Sequence, residues 1–121
     1  MKQKKTTENY LKAIYILSEE GAVRGTDIAE YLGVSRPTVS VALKSLEKEG
    51  YLYLGTFHEV YLTDSGKSLA KSIYEKNRTL KSLLVGLGVS EQIAEQDACE
   101  LEHAISSESF SALKRLTESI G

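Results

Sequence analysis

The chain has 121 residues, 15 basic and 17 acidic side chains, and a formal net charge of −2; this length predicts one compact domain or two small ones. Hydrophobic residues form 41% of it, which excludes extensive disorder, and no apolar run approaches the ~20 residues of a membrane span. A single cysteine excludes an internal disulfide, and the polar start is unlike a secretory signal. We therefore expect a cytoplasmic protein in which any basic surface for nucleic acid is local.

Two short helices are predicted at the start of the chain. The first runs from about Thr7, a good N-cap residue, to Glu19. The second covers residues 26–32, begins at Thr26 and stops at Gly33. The apolar residues that recur at helical spacing in the first helix are Tyr10, Leu11, Ile14 and Leu17.

A third helix and a strand pair follow. Ser35 is a good N-cap, and Pro37 lies in the first turn, where its missing N–H costs nothing. This helix reaches about Glu49, and its apolar face consists of Val39, Ala42, Leu43 and Leu46. Residues 51–54 and 60–63 favour strands, and residues 55–59 have the length of a hairpin loop. The second and third helices are short and are joined by a turn that contains Gly33. Followed by a hairpin, they predict a winged helix-turn-helix.

The pattern changes near residue 64, where strand signals end. We predict a long helix from Thr63 or Asp64 to about Val85, another from Ser90, and a short last helix from Ser106 or Ser107. Their expected buried stripes are Leu69, Ile73, Leu80 and Leu84, then Ala94, Ala98, Leu101 and Ile105, and finally Phe110, Leu113, Leu116 and Ile120. The fold class is mainly α with a small β-hairpin wing, divided into a winged helix-turn-helix domain (1–63) and a helical domain (64–121).

The third helix is the candidate DNA-reading element, because the second helix of a helix-turn-helix enters the major groove. The candidate DNA-binding residues are Thr26, Ser35, Arg36, Pro37, Thr38, Ser40 and Lys44. Hydroxyls bond phosphates or base edges, and Arg36 is able to pair bidentately with guanine or phosphate. The alternative is an ordinary solvated helix face.

The wing and the N-terminus give weaker DNA-binding signals. Residues 56–59 contain no Lys or Arg, so either the wing contributes little or His58 and backbone N–H groups make its contacts. The basic residues Lys2, Lys4 and Lys5 either contact phosphates or form a solvated terminus.

Cys99, Glu102 and His103 stand at i, i+3 and i+4, so one helix face presents a thiol, a carboxylate and an imidazole. This set suits Fe²⁺, Co²⁺, Ni²⁺ or Zn²⁺, whereas Mg²⁺ and Ca²⁺ prefer oxygen ligands alone. The alternative is that Cys99 is a small buried hydrophobe and that Glu102 and His103 form a surface pair.

Three segments resemble the iron- and manganese-dependent repressors, the diphtheria toxin repressor and manganese transport regulator family. They are residues 6–15 (TTENYLKAIY), 28–40 (IAEYLGVSRPTVS) and 97–103 (DACELEH). The resemblance implies a homodimer whose winged domain precedes a helical dimerisation and metal-binding domain, in a short form without the SH3-like domain of longer members. It also implies Fe²⁺ or Mn²⁺ as the metal, and Asn9 as a fourth ligand from the first helix.

The chain departs from this family at the second metal site that relatives often carry. Lys12, Asn77 and Lys81 stand at family ligand positions, and a protonated lysine repels a metal ion. We therefore expect one metal ion per subunit or none. By charge, Lys12 is also predicted to pair with Glu102 and to supply part of the bridging role of a metal.

The leading functional hypothesis is a metal-dependent transcriptional regulator of the repressor type that binds palindromic operator DNA as a homodimer. The first alternative is a metal-independent winged-helix regulator with a degenerate metal site, in which Cys99 is structural or redox-responsive. An enzyme is disfavoured, because no Gly-rich phosphate loop or nucleophile elbow is present. A protein-interaction module without DNA affinity is the remaining alternative.

Overall fold

The computed structural model describes residues 4–120, and for Ile120 it describes the backbone alone. These residues fold into six helices and one pair of strands. In chain order the elements are α1 (Lys4–Ser18), α2 (Gly25–Leu32), α3 (Arg36–Lys48), β1 (Leu52–Leu54), β2 (Val60–Leu62), α4 (Asp64–Gly86), α5 (Glu91–Ala104) and α6 (Ser107–Ile120). The predicted fold class, mainly α with a hairpin wing, is confirmed. Within residues 4–120, no helix combines the length and apolarity that a membrane crossing requires.

The first two helices begin earlier than predicted. α1 starts at Lys4 instead of Thr7, so Lys4 and Lys5 are helical; Lys2 lies outside the described residues. α2 is capped by Arg24 instead of Thr26. The reason is that the Asp27 carboxylate accepts the backbone N–H of Arg24 at 2.9 Å. This hydrogen bond pairs a backbone N–H at the N-terminus of the helix, one turn before Ile28, the first apolar residue of the predicted pattern.

The start of α3 follows the prediction. Gly33 ends α2 in the left-handed conformation, with φ of 70°. Ser35 then caps α3, because its Oγ accepts the backbone N–H of Thr38 at 3.2 Å, and Pro37 lies in the first turn. The four residues that α3 buries are the predicted Val39, Ala42, Leu43 and Leu46.

The hairpin pairs β1 with β2 in antiparallel register, with Tyr53 opposite Tyr61. Their rings stack with centroids 5.3 Å apart, a common cross-strand stabilisation. The backbone N–H of Val60 also donates to the carbonyl of Val23 at 2.7 Å. This bridge to the segment before α2 was not predicted, since a single bridging residue leaves no alternating pattern.

The start of α4 is attached to the turn that follows α3. Thr63 caps α4, as predicted, by accepting the N–H of Gly66 at 3.1 Å, and its hydroxyl donates to the Gly50 carbonyl at 2.7 Å. A Cβ on Gly66 would overlap the backbone carbonyl of Tyr51. Glycine is therefore required here by the close approach of two backbones.

The chain separates into two compact units, Met1–Lys71 and Ser72–Gly121, whose boundary lies within α4. The first unit has an apolar core of residues from α1, α2, α3 and the hairpin. Its members are Tyr10, Ile14, Val23, Ile28, Ala29, Val39, Ala42, Leu43, Leu46, Leu52 and Val60. This core holds α3 with its opposite face in solvent.

Burial in the second unit differs from the predicted stripes. Ile73, Leu80, Ala94, Ala98 and Phe110 are buried as expected. Leu101 is 41% exposed and Leu116 is 50% exposed, so the prediction that they are buried is wrong. The residues that take up buried positions are polar, namely Asn77 on α4 and Glu102 on α5.

Candidate DNA-binding surface and metal centre

The N-terminal half of α3 presents the predicted DNA-binding side chains to solvent. Ser35, Arg36, Pro37, Thr38, Ser40 and Lys44 are all exposed. The hydroxyls of Ser35 and Thr38 are 2.8 Å apart and hydrogen-bonded, so they form one polar corner at the helix entrance. A helix N-terminus attracts anions through its unpaired N–H groups and dipole, and the position of Arg36 beside it adds a positive charge.

One flank of α3 borders a cleft of about 510 Å³. From the predicted set, Thr26, Arg36, Ser40 and Lys44 line it, and Arg24 and His58 join them. The cleft thus gathers the cationic side chains of Arg24, Arg36 and Lys44, which suits the phosphate backbone of DNA. The sequence analysis did not predict Arg24 as a DNA-binding residue. Its position directly before α2, the helix that precedes α3, could have indicated this role.

The loop of the wing is fixed by Glu59. Its carboxylate accepts the N–H of Phe57 at 2.8 Å, and hydrogen bonds from the backbone N–H groups of Glu59 itself and of Phe57 lower the pKa of this carboxyl. His58 adopts a φ of 63° and lines the cleft next to α3. The wing therefore carries one imidazole near the cationic cleft, in a loop without Lys or Arg.

In the second unit, Glu102 and His103 form the most buried polar pair. Glu102 Oε2 lies 3.2 Å from His103 Nε2, and the two side chains are 0% and 6% exposed. The alternative of a surface pair is therefore excluded. Two ligands of one transition metal, each about 2.0–2.2 Å from it, lie roughly 3 Å apart, so this pair has the spacing of neighbouring ligands as well as that of a hydrogen bond.

Cys99 belongs to a row of four side chains between α4 and α5. Asn77 Nδ2 donates to Cys99 Sγ at 3.6 Å, and the thiol donates to Glu95 Oε1 at 3.6 Å. Glu95 Oε2 in turn lies 3.2 Å from the ammonium group of Lys81. Cys99 itself is half-buried. Its thiol is thus hydrogen-bonded to a row that ends in a positive charge.

The chemistry of the donors fits a transition metal, and the geometry fits it in part. Glu102 and His103 are together, whereas no group of three or more His, Cys, Asp or Glu in the described part of the chain is arranged to hold a metal ion. Asn9, the fourth ligand implied by resemblance, lies on α1 in the first unit, as does Lys12.

Comparison with known proteins supports both a DNA-binding region and a metal-binding region in this chain. Residues 3–56 match the family model described as iron dependent repressor, N-terminal DNA binding domain. Residues 63–120 match the iron dependent repressor, metal binding and dimerisation domain. The chain belongs to the iron-dependent repressor family. Its relatives are metal-dependent transcriptional regulators, and this chain has both a DNA-binding domain and a metal-binding domain of that family.

Individual relatives agree with the family assignment. The transcriptional regulator MntR of Salmonella typhimurium is 36% identical over 115 residues, which cover 94% of this chain and 73% of MntR. The iron-dependent repressor IdeR of Mycobacterium tuberculosis is 38% identical over 103 residues, 84% of this chain and 45% of IdeR. The structure of the manganese regulator SloR has a TM-score of 0.82 and 32% identity, covering 93% of this chain and 53% of SloR. The chain thus spans about half the length of IdeR and SloR.

Proposed function

We propose that this chain is a repressor that binds palindromic DNA as a homodimer and responds to one divalent transition metal ion per subunit. The observation that carries the proposal is α3, which presents hydroxyl and basic side chains to solvent beside a cationic cleft. Family membership supports DNA binding and metal dependence together. The specific metal, the palindrome and the direction of regulation are parts of the proposal.

The DNA half rests on the position of α3. Its apolar face is anchored in the core, so its opposite face is free to enter the major groove. The cleft that contains Arg24, Arg36 and Lys44 lies at one flank, where it is able to contact phosphates and set the register of the helix. A duplex recovered from a random pool by the intact chain tests this half directly.

The metal half rests on Glu102 and His103. We propose that they hold the metal together with Cys99, whose thiol has to leave its hydrogen bonds with Glu95 and Asn77 in order to bind. Asn9 stays a ligand predicted from the resemblance alone. A bound metal supplies charge at this site and stabilises the conformation that coordinates it, so it changes DNA affinity only if it favours the DNA-binding conformation.

The types of ligand atom support the proposed identity of the metal ion, and the charge of Lys81 supports the proposed number of ions. The names of IdeR and SloR refer to iron and manganese, and we propose Fe²⁺ or Mn²⁺ for this chain, with Co²⁺, Ni²⁺ or Zn²⁺ also suited to thiol and imidazole donors. The Lys81 ammonium pairs with Glu95 next to Cys99. This positive charge disfavours a second metal ion there, which supports a single ion per chain.

Exposed apolar residues in the second unit support the homodimer. Ile93 and Leu101 lie two turns apart on α5 and are 52% and 41% exposed, and Leu116 on α6 is 50% exposed. Residues at i and i+8 share one helix face. Such surfaces are typical of interfaces between subunits, and the family model for this region includes dimerisation.

A second candidate function is metal-independent DNA binding. The observation that favours it is the geometry of the donors: among residues 4–120, no group of three His, Cys, Asp or Glu is arranged to hold a metal ion. In this case Cys99 is a structural or redox-responsive thiol.

One experiment separates the two candidates. Metal content and DNA affinity are measured on the same preparation, before and after metal removal, and repeated with Cys99→Ala and His103→Ala. We expect metal removal to weaken DNA binding and both variants to behave like the demetallated protein. Equal DNA affinity with and without metal would instead establish the metal-independent regulator.

A further inference from the structure

The outer side of α3 carries one strongly exposed apolar side chain. Val41 is 70% exposed, although it is a β-branched hydrophobe in the middle of a helix whose other exposed side chains are mostly polar or charged. Isolated exposed hydrophobes are common on protein surfaces. Val41 differs from these because it lies on α3, the second helix of the helix-turn-helix, which enters the major groove in such motifs.

Helical geometry places Val41 opposite the core. With 100° per residue, the buried residues Val39, Ala42, Leu43 and Leu46 define one face, and Val41 lies on the opposite side together with Pro37 one turn earlier. Lys44 and Lys48 lie on the same outer side further along the helix, so residues 37 and 41, here called the outer ridge, form its apolar N-terminal part. Because the N-terminal residues of a recognition helix contact the base edges, this ridge is placed to face the bases in the major groove.

Polar and basic side chains flank this apolar ridge. Arg36, Ser40 and Lys44 line the cleft along one flank of α3, the side that meets the phosphate backbone when the ridge faces the bases. The α3 surface thus divides the two tasks. Its flank offers charges for phosphates, and its outer ridge offers carbon atoms for the floor of the groove.

Only one kind of apolar group is available on that floor. The C5-methyl group of thymine is the sole hydrocarbon substituent that the base pairs present in the major groove, whereas the other edges carry hydrogen-bond donors and acceptors. A valine at the ridge leaves such donors and acceptors without a partner, which costs free energy, but it packs favourably against a methyl group.

We propose that Val41 is a specificity-determining residue that recognises a thymine by contact with its C5-methyl group. This inference rests on the proposed DNA-binding function and adds to it the base type read at one position of each half-site. The occupant of the ridge is thus double-stranded DNA with a thymine at a fixed place in the operator.

The test compares thymine with uracil, which pairs identically but lacks the methyl group. A high-affinity duplex is first selected from a random pool with the intact, metal-supplied chain. Each thymine is then replaced by uracil, and affinity is measured by fluorescence anisotropy for the wild-type chain and for Val41→Ala. We expect one thymine per half-site at which uracil lowers wild-type affinity about fourfold, equivalent to ~0.8 kcal/mol for one methyl group, and a smaller difference for Val41→Ala, whose side chain ends at Cβ.

Val85→Ala is the matched control, because Val85 is 38% exposed on α4 in the second unit. It should discriminate uracil from thymine as the wild type does. The inference is overturned if the wild type binds its operator but ignores every uracil, or if Val41→Ala discriminates as strongly as the wild type. The proposed DNA binding stands in both cases. A chain that selects no sequence would overturn the proposed function, and the inference with it.

Discussion

α3 carries its candidate functional residues on the side that faces solvent, whereas α5 carries one of its candidate ligands on the side that faces the core. α3 buries only apolar residues and presents its candidate DNA-binding side chains to solvent. α5 buries Ala94, Ala98 and Glu102, so a candidate metal ligand occupies its core-facing stripe. A surface that binds a macromolecule leaves the apolar pattern of a helix intact. A site that takes up a small ion replaces part of that pattern.

The largest expected effect tests whether Glu102 is buried for metal binding. Glu102→Gln keeps the side-chain size and a hydrogen-bonding oxygen near His103 but removes the carboxylate charge. We expect metal affinity to fall at least about 100-fold, since changing even the partners of metal ligands costs 10–100-fold. Isothermal titration calorimetry measures this loss. In the control Glu100→Gln, on the exposed side of α5, metal affinity should be unchanged; equal losses in both variants would contradict the assignment.

The corresponding change on α3 is Arg36→Ala. We expect DNA affinity to fall by ~1–3 kcal/mol, about 5- to 160-fold, with metal affinity unchanged. If Arg36 contacts a phosphate, the slope of log affinity against log salt concentration also becomes about one unit shallower. Arg115→Ala removes an exposed arginine from α6 and serves as the control. A DNA affinity unaffected by Arg36→Ala would break the proposed division of roles.

The third prediction concerns the support of the DNA-binding unit. Gly66→Ala places a methyl group against the carbonyl of Tyr51, and overpacking of this kind costs about 1–3 kcal/mol. Gly86→Ala is the control, because the added methyl group meets no atom within 4 Å; alanine there should be neutral or slightly stabilising. Thermal unfolding followed by circular dichroism measures both variants. Equal stability of the two would show that the close approach at Gly66 is unimportant.

The smallest effect is expected at Lys81. Lys81→Gln removes the ammonium group that pairs with Glu95, an exposed ion pair worth at most about 1 kcal/mol. Without this charge, the Glu95 carboxylate becomes available to a second, weak metal ion beside the one that Cys99 helps to hold, so the metal content at high metal concentration should rise from one towards two per chain.

Lys114→Gln provides a matched control for this change. It breaks the similarly exposed pair of Lys114 with Glu75, whose atoms are 2.9 Å apart, and it should leave the metal content unchanged. Elemental analysis after equilibrium dialysis gives the count for both variants. If Lys81→Gln binds no more metal than Lys114→Gln does, the charge of Lys81 does not limit the number of ions.

The sequence predicted the winged unit well because its local signals agree with one another. The cap at Ser35 and the four apolar residues of α3 all pointed to the same helix. The start of α2 was placed too late, since Thr26 is the more usual cap and the role of Asp27 depends on a backbone contact. The bridge of Val23 to Val60 depends on tertiary proximity and leaves no periodic trace.

The metal-binding half was harder to predict for a physical reason. Helical periodicity is detected from apolar residues, so a buried carboxylate such as Glu102 interrupts the stripe, and the apolar pattern predicts burial of Leu101 instead. The residue types at 99, 102 and 103 indicated the ligand chemistry from sequence. Whether Cys99 joins that site depends on side-chain hydrogen bonds to Asn77 and Glu95, which spacing alone does not reveal.

The stacked rings of Tyr53 and Tyr61 have a practical consequence. The chain contains seven tyrosines and no tryptophan, so tyrosine dominates its near-ultraviolet absorption and emission. Because these two rings are stacked 5.3 Å apart only when the strands are paired, we expect them to contribute a near-ultraviolet dichroic signal that depends on the hairpin. The intact, unlabelled protein therefore carries an optical reporter of its wing, and stopped-flow spectroscopy is able to time the wing's formation and its response to an added duplex.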